Sequence, residues 1–109
     1  MSTSKKKSFR QLINESEMPV LVDFFATWCG PCQTLSPVVE ETARVFKDRV
    51  KVIKIDVDKN PAIANQYKVR GVPTLILFWK GQPLWQQAGL MTKRDLAAKI
   101  NQALNRSYA

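Results

Sequence analysis

The segment Val20-Leu21-Val22-Asp23-Phe24-Phe25-Ala26 runs directly into Thr27-Trp28-Cys29-Gly30-Pro31-Cys32, and this junction decides the fold. Its first half is apolar but for one acid. A strand greasy on both faces is covered on both, as central strands of α/β sheets are. Beyond the cysteines, Leu35, Val38, Val39, Ala43 and Phe46 keep helical spacing, which predicts a helix opening near Cys29 or Cys32 and running to about Lys47. Pro37 falls inside that helix and is expected to bend it.

Working outward, the same alternation of strand and helix continues. Phe9, Leu12 and Ile13 share one side of a short helix with Ser8 as N-cap. Residues 51–57 alternate and are rich in β-branched side chains, which predicts a second strand. Asn60-Pro61 reads as an N-cap and first-turn proline opening a short helix through Tyr67. Leu75-Ile76-Leu77-Phe78-Trp79 reads as another buried strand. Lys80-Gly81-Gln82-Pro83 then turns the chain into Leu84-Trp85-Gln86-Gln87, an antiparallel partner. Thr92 caps a last helix striped by Leu96, Ala97, Ile100, Ala103 and Leu104. The order is helix, strand, helix, strand, helix, strand, strand, helix. It predicts an α/β fold, a mixed sheet with helices on both faces and right-handed crossovers between parallel strands.

The chain has 109 residues, a length typical of one domain. Its hydrophobic content of 45% excludes a disordered polymer, and no apolar run approaches the ~20 residues a membrane helix needs. There is no histidine, which excludes Ser-His-Asp and Cys-His catalysis and every imidazole metal site. The net charge is +8, and half of that excess comes from Lys5, Lys6, Lys7 and Arg10. Such a run suits a nucleic-acid or membrane surface, but no phosphate loop or RNA-binding aromatic motif accompanies it. A solvated basic tail over residues 1–7, followed by a single domain over 8–109, is the expectation, with no nucleic-acid and no membrane partner. Because no apolar segment follows the charged start, no secretory signal is read there, and a cytoplasmic monomer is expected.

The chemistry is concentrated at Cys29 and Cys32. In an open α/β sheet, functional groups gather beyond the carboxyl ends of the strands. A helix start there points unpaired N–H groups and a positive dipole end outward, which stabilises a thiolate. Two intervening residues let both sulfurs meet across one turn, so the pair can cycle between dithiol and disulfide. Three other readings compete. A structural disulfide closing so short a loop adds only ~2 kcal/mol and is unusual in the cytosol. A zinc half-site lacks further Cys or His ligands and would need a dimer. Two inert buried cysteines are the third. Redox chemistry fits best. Cys29, nearer the helix start and the exposed end of the loop, is expected to be the low-pKa nucleophile, and Cys32 the resolving thiol. Gly30 and Pro31 offer no side chain to stabilise the thiolate further, which favours reduction over oxidation or isomerisation.

Asp23 is the next outlier. An ionised carboxylate amid Leu21, Val22, Phe24 and Phe25 is costly to bury, so its pKa should rise, and it suits a proton acceptor for Cys32. The competing reading is a strand-end acid turned to solvent. Lys54, on the strand face of Val50 and Val52, is placed to approach Asp23 across neighbouring strands; the alternative is an exposed strand lysine. Gly71 gives backbone freedom before Pro73, but spacing leaves the isomer of the Val72–Pro73 bond open. Trp79 and Trp85 read as packing residues of the hairpin.

Taken together, Val20-Leu21-Val22-Asp23-Phe24, Trp28-Cys29-Gly30-Pro31-Cys32, Pro37, Asp56-Val57-Asp58 with Asn60-Pro61, Gly71-Val72-Pro73-Thr74, Gly81 and Gly89 resemble the thioredoxin family, in order over residues 8–104. The resemblance implies a thioredoxin fold of four or five strands, with Cys29 as nucleophile and Cys32 as resolving thiol. It implies Asp23 and Lys54 as a buried pair assisting proton transfer, and a cis bond at Val72–Pro73 beside the sulfurs. It further implies a substrate-gripping surface of Trp28, Gly30, Pro31, Val72, Pro73, Gly89 and Leu90, with the Val72 backbone pairing with the partner's extended chain. The activity implied is reduction of protein disulfides without a bound cofactor or metal, with electrons from a thioredoxin reductase. A thiol oxidase or isomerase, and a binding or assembly subunit using its basic surface, are the alternatives. Four departures stand out. The family's first edge strand has no apolar counterpart in residues 1–7, Phe25 stands where a second tryptophan is common, Gln33 replaces a basic residue, and Leu90 is bulkier than usual.

Overall fold

The computed structural model describes residues 7–108 of the chain. The elements follow the order α1 (Phe9–Glu15), β1 (Val20–Phe25), α2 (Gly30–Val45), β2 (Lys51–Asp56), α3 (Pro61–Gln66), β3 (Thr74–Trp79), β4 (Gln82–Ala88) and α4 (Lys93–Tyr108). Among the described residues the sheet has four strands in the order β2-β1-β3-β4. β1 and β2 are parallel, while β3 runs antiparallel to both β1 and β4. The mixed sheet with helices on both faces is the α/β architecture expected, with four strands among the described residues. The expectations of a basic tail and of no first edge strand over residues 1–7 lie, except for Lys7, outside the described residues; Lys7 pairs with Glu15 at 3.2 Å.

β1 lies between two neighbours and is buried along nearly its whole length. Its side chains alternate between two cores. Leu21 joins Leu35, Val39, Leu75, Leu77, Leu96 and Ile100 under α2 and α4. Val22 and Phe24 join Ile13, Ile76 and Phe78 under α1 and α3, where Phe9, Phe24, Tyr67 and Phe78 meet edge to face. Apolar faces on both sides of one sheet require two helical layers, and the sequence supplies two amphipathic helices to each.

Local chemistry sets the ends of these elements. Ser8 and Gln11 form a capping box at α1: the Gln11 N–H donates to Ser8 Oγ at 3.1 Å, and the Ser8 N–H to Gln11 Oε1 at 2.9 Å. Ser8→Ala is expected to cost about 1 kcal/mol in urea denaturation, with an unchanged slope against denaturant. At α4 the Asp95 N–H donates to Thr92 Oγ1 at 3.0 Å, as the sequence suggests.

Three details depart from the sequence reading. Asn60 holds the N-cap position of α3 but makes no side-chain cap; its amide donates instead to the Asp56 carbonyl at 3.0 Å. The helix ends on Lys68 with φ 58°, a left-handed residue that is usually glycine. There the Val69 N–H reaches back to the Ala64 carbonyl at 2.8 Å and the Lys68 N–H to Asn65 at 3.1 Å, satisfying carbonyls the helix leaves open. Third, the hairpin turn is shorter than four residues. Lys80 and Gly81, both with positive φ, make the turn alone, and β4 already begins at Gln82. Pro83 therefore sits within an edge strand, at a register shift near Phe78, where its missing N–H costs little. Gly81 is constrained twice, by its φ of 84° and because a Cβ would collide with the Asn14 carboxamide.

Candidate active site

The carboxyl end of β1 delivers Ala26, and Ala26, Cys29 and Cys32 are buried together against Phe25, Val57 and Val72. Cys29 and Cys32 form a disulfide with Cα atoms 5.3 Å apart, within the span such a bridge requires. Cys29 is the N-cap of α2. Its extended backbone turns into the helix at Gly30, and its Sγ accepts the Cys32 N–H at 3.1 Å, the place a serine or aspartate oxygen takes in an ordinary cap. Cys32 sits one turn inside. A sulfur at the cap receives the N–H groups and the positive end of the helix dipole; one further along receives less. The expectation that Cys29 is the more exposed sulfur residue is not met. Cys29 is 3% and Cys32 6% exposed, so cap position rather than exposure separates them.

Asp23 is 2% exposed, which settles the choice between a buried acid and a solvent-facing one. Burial pushes its carboxyl up to about 6, against a smaller downward pull from the Lys54 ammonium. Its Oδ1 has no hydrogen-bond partner. Asp23 and Cys32 line the same cleft of about 280 Å³ with Thr27, Gln33, Ser36 and Lys54. Within it, a buried base of raised pKa and the inner sulfur share one solvent space.

Lys54 lies opposite Asp23 in the β1–β2 register, as expected from the strand pattern. It is not buried, however: its side chain is 39% exposed. Its ammonium donates to Ser36 Oγ at 2.7 Å and lies 3.7 Å from Glu40, both on α2. Lys54 is an edge-strand residue with one open side, so its long stem carries the charge outward to solvent and to α2.

Of the remaining predicted residues, Val72 packs against the cysteines, while the others lie beside them in sequence or on the loops around residues 71–74 and 89–90. Trp28 is 71% exposed, yet its indole N–H is held by Asp58 Oδ2 at 2.8 Å. Gly30 and Pro31 are exposed at the helix start. The Val72–Pro73 peptide bond is cis, as the resemblance implies. The Pro73 carbonyl accepts the Gly89 N–H at 2.9 Å, which brings the start of the last loop to the 71–74 segment, with Leu90 exposed beside Gly89. Trp28 and Val72 also line a hollow of about 140 Å³ with Val57, Val69, Arg70 and Gly71. Sequence reasoning assigned no role to Asp58, Ser36, Glu40 or Arg70. Asp58 lies within a motif quoted for the resemblance, but only the folded geometry links it to Trp28.

Comparison with known proteins agrees with this geometry. The sequence model of the family described as Thioredoxin matches residues 1–102. The chain is 45% identical over 97 residues to Thioredoxin 1 of Synechococcus elongatus, covering 89% of this chain and 91% of that protein. It is 42% identical over 97 residues to the Thioredoxin of Rickettsia felis, covering 89% of this chain and 92% of that protein. It is also 45% identical over 97 residues to Thioredoxin Y1, chloroplastic, of Arabidopsis thaliana, a match spanning 56% of that protein's own length.

Proposed function

The chain belongs to the thioredoxin family and is a thiol–disulfide oxidoreductase, and on that premise we propose that it reduces protein disulfides with Cys29 as nucleophile and Cys32 as resolving thiol. The observation that carries the assignment is the cap geometry, in which Cys29 Sγ takes the Cys32 N–H at the positive end of α2 while Asp23 shares the cleft with Cys32.

In the reduced protein the Cys29 thiolate attacks one sulfur of a target disulfide. A Cys29–target bond forms, the target's own S–S bond breaks, and its second sulfur leaves as a thiolate. Cys32 then gives its proton to the Asp23 carboxylate and attacks Cys29 Sγ. The mixed disulfide breaks and the target's remaining sulfur leaves as a thiolate; one proton returned by Asp23 and one from water convert the two target thiolates to a dithiol, and the protein is left in the Cys29–Cys32 disulfide state described above. Two electrons and two protons from a thioredoxin reductase restore the dithiol. Lys54 tunes Asp23 by its charge. Trp28, Gly30, Pro31, Pro73, Gly89 and Leu90 grip the target, whose extended chain pairs with the Val72 backbone. A cytoplasmic monomer acting on disulfide-containing proteins completes the reading. Insulin reduction in the presence of dithiothreitol tests it. The expected result is precipitation of the insulin B chain at a rate proportional to added protein; a rate equal to dithiothreitol alone would refute it.

A further inference from the structure

We propose that Ser36 and Glu40 are positioning residues that hold the Lys54 ammonium away from Asp23, leaving the carboxyl group free to take up and return a proton. This rests on the reading of Asp23 as the proton acceptor.

The register alone brings the two charges together. Asp23 and Lys54 are direct partners across the parallel β1–β2 pair, so both side chains emerge on the α2 side of the sheet, and both line the same cleft. An unopposed lysine there would place its ammonium on the buried carboxylate, whose Oδ1 lacks a partner. Instead the ammonium is engaged by α2, and no ion pair within 4.0 Å joins it to Asp23. Ser36 Oγ accepts from Lys54 Nζ at 2.7 Å and donates its own proton to Glu40 Oε2 at 3.3 Å, and Glu40 supplies the negative charge at 3.7 Å from Nζ. The hydroxyl's donor and acceptor capacities are both used, so the three groups form a directed chain.

The groups facing Asp23 are few. β2 brings Lys54; α2 brings Cys32 and, engaged with Lys54, Ser36 and Glu40; β3 sets apolar Leu75 opposite it in register. An opposite charge in direct contact lowers a carboxyl pKa by roughly 1–3 units, enough to cancel the upward push of burial. With Lys54 drawn off to α2, burial prevails and Asp23 stays near 6. A carboxylate clamped by an ammonium would be a weaker base toward a thiol.

The test is a titration of Asp23 by carboxyl carbon NMR in the oxidised full-length protein, where neither sulfur ionises. Ser36→Ala with Glu40→Gln is expected to move the Asp23 midpoint down by about one pH unit, as Lys54 turns to the carboxylate. Ser36→Ala alone, which changes no charge, should move it the same way by less. In a Lys54→Met background the paired substitutions should leave the midpoint in place, because their effect runs through Lys54. An unmoved midpoint when Lys54 is present, or an equal shift when it is absent, overturns the proposal. Because this titration involves no turnover, failure of Asp23's role in exchange would be seen separately, as unchanged insulin reduction by Asp23→Ala.

Discussion

Cys29→Ser is expected to abolish insulin reduction completely, while Cys32→Ser retains the first exchange and stalls. The asymmetry follows from the cap. The sulfur at the N-cap is the one whose negative charge the helix start stabilises, so it forms the bond to the target. Without it, Cys32 is one turn inside, in the weaker field. With Cys29 intact and Cys32 replaced, nothing displaces the captured target, and mixed disulfides accumulate. Non-reducing gel electrophoresis after incubation with oxidised insulin checks this: a ladder of adducts for Cys32→Ser and none for Cys29→Ser. Equal trapping by both variants would remove the assigned order of attack.

The second large effect concerns stability. Asp23→Ala should make the oxidised protein more stable at neutral pH while slowing insulin reduction. In the fold the Asp23 carboxyl sits near 6, against 3.8 as its unperturbed value. The folded state therefore binds the proton more tightly than the unfolded one. The associated stability is fully present below about pH 4, falls as pH rises through the interval, and is gone above about pH 6. The gap of about two units corresponds to about 3 kcal/mol. Urea denaturation from pH 4 to pH 8 should thus show wild type losing about that much relative to Asp23→Ala, with the two nearly equal at the acid end. Parallel curves would mean an ordinary carboxyl.

The central elements are legible in sequence because their physics is local. A run apolar on both faces needs two covering layers wherever it sits, and Leu35, Val39 and Phe46 mark the buried stripe of α2 by spacing alone. The cysteine pair is legible for the same reason: three positions span one turn. What stays hidden depends on partners distant in the chain. The tie between Trp28 and Asp58 crosses thirty residues, and that between Lys54 and Ser36 crosses eighteen. Nothing in the local pattern says that an edge lysine leans toward a helix rather than toward its strand neighbour. Lys68 is hidden differently, since a left-handed lysine carries no glycine-like mark in sequence. The burial of Cys29 is hidden because position in a loop suggests exposure, whereas Val57, Val72 and Phe25 pack against the cysteine pair.

The alternation along β1 carries a consequence for how the chain can misassemble. Odd positions meet one core and even positions the other, so threading the strand one step out of place would exchange the two sets. Leucine, valine and phenylalanine would survive that exchange with modest repacking; Asp23 would not, for it would be driven among the rings of Phe9, Tyr67 and Phe78 with no cleft to receive it. The acid that costs the native state stability thus penalises the mistaken thread far more heavily. A variant lacking it should gain robustness against heat while losing fidelity in reaching a single sheet.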